Sequence, residues 1–234
     1  MLDWLDLREG QSVLDVGAGA GDWLRAAAIL VGKNGRAVGV DASQSMVDQA
    51  RIRATADGSW AEYWQDDAQR LQFSDNTFDA VRAERVLIHL QRPEQAMREM
   101  MRVVRPGGRV VASDPDWGLR SIDHPDHDVT RRVFEHWCAS FASGGAVARQ
   151  LPRLFRESGL IDVEVQASAS QVTDYALSDG LFGYRGVVDR ACAGGAVTTA
   201  ERDRWLEGLE LIASGGHFAS IGVVVTVRRQ KPHV

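Results

Sequence analysis

The 234-residue sequence is 44% hydrophobic and 25% charged, a balance that supports a packed globular core and excludes disordered, collagen-like and disulfide-scaffold chains. Its 27 basic and 32 acidic residues leave a net charge of −5, the wrong sign for a protein that works by neutralising many phosphates, so nucleic acid is excluded as the main partner. Two cysteines, Cys138 and Cys192, lack metal-ligand spacing and read as core thiols of a protein in the reducing cytoplasm.

In chain order, residues 1–9 carry acid inside their apolar stretch and show no pattern of basic start, apolar run and cleavage site, so no signal peptide is read there. Ser12–Val16 is a short apolar strand that enters a glycine loop, and 23–31 is a buried helix closed by Gly32 and Asn34-Gly35. Arg36–Asp41 repeats the strand, with Ser43 placed as the N-cap of a helix through Met46, Val47 and Ala50. Tyr63 and Trp64 mark a third strand and 77–81 a fourth. Pro93 opens a helix with Met97, Met100 and Val104 on one face, stopped by Pro106-Gly107-Gly108, and 109–114 is a fifth strand. Strands alternating with helical patterns predict an α/β fold, a doubly wound, mostly parallel sheet with helices on both faces.

After Asp114 the alternation breaks. Residues 115–142 read as a loop and a helix around Val133, Phe134 and Trp137, and 151–157 as the next regular helix. Segments 162–165 and 221–227 bring the sheet to seven strands. Between them lie Tyr175, Tyr184 and a helix opened by the capping box Thr198-x-x-Glu201. The sequence is therefore expected to form a single domain over 1–234 with helical lid insertions at 115–147 and 174–216, near the carboxyl edge where open α/β sheets bind ligands. No apolar run approaches the roughly 20 residues of a membrane span.

The glycine loop narrows the ligand. A dinucleotide fingerprint places its glycines as G-x-G-x-x-G so that a pyrophosphate sits on a helix N-terminus. Here Gly17, Gly19 and Gly21 fall as G-x-G-x-G and are followed by Asp22, whose charge repels phosphate. Asp41, at the tip of the second strand, stands where such folds accept ribose hydroxyls. Asp15, Asp41 and Asp67, the last beside Asp66, fall at successive strand ends and favour a cationic nucleoside over a diphosphate. S-adenosylmethionine meets that description.

At this point the sequence resembles the class I S-adenosylmethionine-dependent methyltransferases, in particular the small-molecule branch that includes the ubiquinone and menaquinone C-methyltransferases. The residues that carry the resemblance run from Val13 to Gly21, then Val38-Gly-Val-Asp-Ala-Ser43 with Met46, Asp66-Asp67-Ala68, Phe73 to Asp79, Val86-Leu-Ile-His-Leu90 and Arg105-Pro-Gly-Gly108, about half of the chain. The resemblance implies a Rossmann-like methyltransferase fold in which Gly17, Ala18, Gly19 and Gly21 admit the methionine moiety and Asp15 holds its amino group. It also implies that Asp41 binds the ribose diol, Ala42 and Met46 touch the adenine, and Asp66, Asp67 and Ala68 receive its edge. Ala83 and Glu84 would line the methionine end, with S-adenosylhomocysteine as the product. Arg82 and Arg85 depart from the small or polar residues usual there. Such proteins also place a few tens of residues as helices ahead of the first strand. Only about eleven stand here, so either the sequence begins late or the insertions, with a neighbouring subunit as one source, close the site. A homo-oligomer is left open.

His89 reads either as a general base facing the acceptor or as a hydrogen-bonded structural imidazole. Asp116, in Asp114-Pro-Asp116-Trp117, reads as a second base or as part of a proline turn. The pair His124 and His127 is separated by a proline that forbids one continuous helix, and neither His136 nor Cys138 completes a zinc spacing, so no metal is expected. His217 is a pocket candidate or a surface turn. Tyr175, Phe182, Tyr184, Trp137 and Trp205 are divided between an aromatic acceptor pocket and packing. The expected activity is methylation of a small molecule at O, C or N, such as a secondary metabolite or a quinone-like aromatic. The alternative is a protein that keeps the cofactor without methyl transfer, as a cyclase-type enzyme or a sensor or assembly partner.

Overall fold

The structure, a computed structural model, describes residues 2–160 and 162–232. The chain divides into two compact units. The first comprises Met1–Asp114, Gln150–Gln166 and Thr226–Val234, and the second Pro115–Arg149 and Ala167–Val225.

The first unit opens with α1 (Leu2–Leu5) and then alternates strand and helix: β1 (Ser12–Val16), α2 (Asp22–Val31), β2 (Arg36–Asp41), α3 (Gln44–Ala56), β3 (Glu62–Gln65) and β4 (Phe78–Glu84). A 3-10 turn (Leu87–His89) leads to α4 (Pro93–Val103) and β5 (Val104–Ile122). β1 pairs in parallel with β2 and β4, β2 with β3, and β4 with β5. Such strands are covered on both faces, and Val13, Leu14, Val38, Val81, Val110 and Val111 are accordingly buried without alternation. Between α2, α3 and the sheet a cluster forms around Leu24, Ala27, Val31, Val47, Ala50 and Tyr63.

Seven strands lie in the order β3-β2-β1-β4-β5-β7-β6, with β6 at Glu164–Val172 and β7 at Ser220–Gln230. β7 runs antiparallel to β5, because Gly107 bonds to Lys231 near the start of β5 and Asp123 to Ala219 beyond its end. The α/β class and the mostly parallel, doubly wound sheet expected from the sequence are what the chain forms. Ser43 occupies the N-cap of α3 but its side chain makes no capping bond; the Ser43 N–H is taken by Asp41 instead.

Several boundaries differ from expectation, among them the start of β5, which takes Val104 from the preceding helix, and three differ for a plain physical reason. β5 does not end at Asp114 but continues through Pro115 to Ile122, since proline is compatible with extended backbone and every residue from Val110 to Asp116 is buried. The sixth strand covers Glu164–Val172 rather than 162–165; it is the exposed edge strand, and Gln-Ala-Ser-Ala-Ser-Gln offers no buried face for a period-two signal. Helix α6 (Val147–Glu157) starts a turn before Leu151 and carries Pro152 inside, a residue that marks a first turn when read from sequence alone.

In the second unit, α5 (His127–Ala139), α8 (Tyr184–Ala193) and α9 (Thr199–Ser214) bury Val133, Phe134, Tyr184, Val187, Trp205 and Leu209 in a cluster of their own, and α7 (Tyr175–Phe182) adds Tyr175 and Phe182 to its edge. Trp205 is fully buried and donates from Nε1 to Thr130 Oγ1 at 2.9 Å. His124 lies beneath α9, with Nε2 on the Trp205 carbonyl at 3.0 Å and Nδ1 accepting from the Asp126 N–H at 2.9 Å. Both ring nitrogens thus serve packing, and burial pushes its pKa down. The capping box at Thr198 and Glu201 is formed in both directions.

Trp205→Ala is expected to lower unfolding stability by about 3–5 kcal/mol, and Thr198→Ala by about 1 kcal/mol. Urea unfolding followed by circular dichroism checks both.

Candidate active site

The loop between β1 and α2 is held from both sides. Gly17 has φ +70°, and a side chain there would overlap Val86. The Gly19 N–H donates to Asp41 Oδ2 at 2.9 Å, the Ser43 N–H to Asp41 Oδ1 at 2.9 Å, and the Ala18 N–H to the Val40 carbonyl at 2.9 Å. Asp41 thus stitches the glycine loop to the start of α3, and each of its oxygens keeps a further lone pair for a ligand. Gly21 packs against Tyr63, whose hydroxyl donates to the Gly21 carbonyl at 3.2 Å. Burial pushes Tyr63 up to about 12, so it remains a donor.

Beside this loop lies a crevice of about 580 Å³, part of it open to solvent. It brings together seven of the residues singled out from the sequence, Gly17, Asp41, Ala42, Asp66, Asp67, Ala68 and His89, along an apolar wall of Val16, Val40, Val86 and Leu90. Asp66 is largely buried and accepts from the backbone of Asp67 and Gln72, both at 2.9 Å. Asp67 is exposed, with one oxygen accepting from the Gln69 N–H. Met46 lies on the first turn of α3 and is 40% exposed. His89 ends the 3-10 turn and is exposed. Arg85 lines the same crevice with φ +56°, its N–H fixed to the Ser113 carbonyl at 2.8 Å.

Next to the glycine loop the residues gather around an arginine. Arg82 is 5% exposed; it donates to Asp15 Oδ1 at 2.6 Å and to Glu84 Oε2, and its guanidinium lies 4.3 Å from the centre of the Trp23 ring. Ala83 is fully buried. Asp15 and Glu84 are therefore brought together as counterions of Arg82, a residue that appeared in the sequence only as a departure from the family pattern. Burial raises the Asp15 pKa against the opposing pull of Arg82. Three buried atoms here have no hydrogen-bond partner among the described residues: Asp15 Oδ2, Arg82 Nε and Trp23 Nε1. Trp23 read simply as part of a buried helix. Its signal was a side-chain donor at the second residue of a helix that follows a glycine loop.

Asp114, on β5 and the last residue of that segment of the first unit, is fully buried, and burial pushes it up to about 7 despite a bond from the Ile88 N–H. Asp116 belongs to the second unit. Both of its oxygens are held by Arg149, each at 2.6 Å, and Oδ1 also accepts from the Gly118 N–H at 3.1 Å.

Comparison with known proteins shows what the chain is similar to. A family model described as "Methyltransferase domain" matches residues 14–112. Over 232 residues, 99% of the chain, it is 38% identical to an uncharacterized 37.1 kDa protein in transposon TN4556 of Streptomyces fradiae, of which it covers 66%. It is 33% identical over 137 residues, 58% of this chain and 51% of the relative, to the ubiquinone/menaquinone biosynthesis C-methyltransferase of Ectopseudomonas mendocina. The chain thus spans about half to two thirds of the length of these relatives. A solved structure from Bacillus halodurans C-125 shares the fold, with a TM-score of 0.70 at 19% identity over 99% of this chain and 96% of its own.

Asp114 has a folded-state pKa above its unfolded value, so its contribution to stability is complete below about pH 4 and is lost as pH rises through about 7. Unfolding free energy is expected to fall across that window by up to about 4 kcal/mol through this group, and Asp114→Asn to flatten the fall in urea titrations at pH 4.5 and 7.5. Arg82→Met, which leaves the Asp15 carboxyl buried without its counterion, is expected to destabilise the protein by about 3–5 kcal/mol. Adding Asp15→Leu to Arg82→Met is expected to restore much of that loss in the same titration.

Proposed function

We propose that the chain, whose residues 14–112 match a methyltransferase-domain model, is a class I S-adenosylmethionine-dependent methyltransferase that methylates a small-molecule acceptor at O, C or N in the cytoplasm and leaves S-adenosylhomocysteine. The observation that carries this reading is the trio of unsatisfied atoms beside the glycine loop. Asp15 Oδ2 is an acceptor, while Arg82 Nε and Trp23 Nε1 are donors. Buried polar atoms are rarely left unpaired, and one acceptor set among two donors complements the ammonium and carboxylate of an amino-acid head. Asp41 adds acceptors for a ribose diol, and the crevice wall from Val40 to Ala68 and Leu90 adds an apolar slot edged by Asp67.

When bound, the sulfonium supplies an electrophilic methyl carbon. The protein's own share is positioning, an effect worth about 7–11 kcal/mol at most. Gly17 and Gly19 keep the loop backbone close, and the amide contacts of Asp41 hold that loop in place. For an acceptor that must lose a proton, His89 is the assigned base, since it lies exposed on the crevice wall. Asp116 is assigned no proton transfer. Its charge is compensated by Arg149 and its oxygens are engaged, which favours a role in holding the start of the second unit.

The test is calorimetric titration with S-adenosylmethionine, followed by mass spectrometry for S-adenosylhomocysteine in the presence of aromatic acceptors. Asp41→Ala is expected to weaken cofactor binding by about tenfold to hundredfold, the loss of charge-assisted hydrogen bonds, with an unchanged circular dichroism spectrum. Retained affinity overturns the site. Tight binding without product across the acceptor panel favours the cyclase-type or sensor reading.

A further inference from the structure

Among the described residues two arginines are buried to nine-tenths or more, Arg82 and Arg120. Arg82 carries two carboxylates. Arg120, 9% exposed and wholly within the second unit, carries none among the described residues. Its Nη2 reaches only neutral hydroxyls, Ser220 Oγ at 2.8 Å and Tyr184 Oη at 3.3 Å, and its Nε is buried without a partner. Asp116, four residues earlier on β5, is committed to Arg149.

The surroundings of Arg120 are aromatic. Its guanidinium lies 3.4 Å from the centre of the Phe182 ring and 5.8 Å from that of Trp117, and Trp117 packs on Trp137 at 4.9 Å. Trp117 Nε1 is a second buried donor without a partner. Arg120 also lines a crevice of about 1230 Å³, partly open to solvent, with Ile122, Thr130, Phe134 and Cys138.

An uncompensated guanidinium is expensive to bury, and cation–π contact offsets only part of that cost. Two orphaned donors with no acceptor, set among flat apolar rings, define the missing ligand by complement: an anionic, acceptor-rich group on an aromatic body. We propose that the second unit binds planar aryl carboxylates, with the carboxylate on Arg120 Nε and Trp117 Nε1 and the ring in the crevice beside Ile122 and Phe134. Arginine suits this use because its fork matches a carboxylate in two places. The site lies wholly within the second unit and does not rest on the methyl transfer proposed above.

The experiment titrates the full chain, without cofactor, with 2-naphthoate, benzoate and 2-naphthamide, the last a neutral analogue of the first. The expected result is binding of 2-naphthoate at least about tenfold tighter than 2-naphthamide, with tryptophan fluorescence changing on binding. Arg120→Met is expected to abolish the preference for the carboxylate, Arg120→Lys to retain part of it, and Trp117→Phe to weaken it by several-fold. Circular dichroism and the affinity for S-adenosylmethionine, held by the first unit, check that each variant folds. If Arg120→Met fails that check, the naphthoate against naphthamide comparison on the unaltered chain decides. Equal affinity for the two, no binding of either carboxylate, or an unchanged preference in a folded Arg120→Met overturns the site. Carboxylate binding that needs Arg120 while no acceptor yields S-adenosylhomocysteine would instead overturn methyl transfer and leave the site standing.

Discussion

The first unit turns on the carboxylate of Asp41. A glycine loop with three residues at positive φ has neither helix nor ladder to hold it, and glycine has more conformational freedom to lose than any other residue. Asp41 supplies the missing restraint, one oxygen on the Gly19 N–H and the other on the Ser43 N–H. Two neighbouring strand ends and two helix starts are thereby fixed by a single side chain. Without that bridge the floor of the crevice would be a mobile loop. With it, the lone pairs that remain on Asp41 are presented at a defined place, which preorganises a polar site before any ligand arrives.

A row of acids at strand ends invites a simple electrostatic reading, namely a negative crevice for a cation. The arrangement is more selective. Asp15 is compensated by Arg82, Asp41 by two backbone dipoles, Asp66 by the amides of Asp67 and Gln72, and Asp67 remains at the surface. Arg82 and Arg85 place positive charge close to these acids. The field is therefore divided along the crevice, with acceptors at the end of Asp41 and Asp67 and mixed donors and acceptors beside Trp23. Such a division suits a ligand that is itself divided, a neutral sugar and base at one end and a zwitterion at the other. Counting carboxylates cannot show it, since charge counts ignore which groups are already paired.

The parts legible in the sequence were those governed by local rules. Strand, glycine loop and helix repeat with a period that backbone geometry enforces, so β1, β2, α4 and the capping box at Thr198 read directly. Gly17, Asp41 and Asp67 line one crevice because a strand end fixes where its next residues go, whereas Ala68 was implied only by the family resemblance. Long-range pairing was illegible. Nothing local says that Arg82, sixty-seven residues from Asp15, will bind it, or that Asp116 will be spent on Arg149. The edge strand β6 escaped for a related reason, having no buried face to impose a pattern on its composition.

The two buried arginines show how a single residue type can do opposite work. Removing a guanidinium from water is favourable only when something replaces its hydration. Around Arg82 the protein itself provides two carboxylates and a Trp ring, so the charge is largely spent on holding Asp15 and Glu84 in place. Around Arg120 it provides hydroxyls and aromatic faces, which fix the direction of the guanidinium without neutralising it. Adding a carboxylate from the chain would have been a small change in sequence. Its absence among the described residues, in a unit where Arg149 and Arg132 do receive acids, separates Arg120 from a charge that completes the fold.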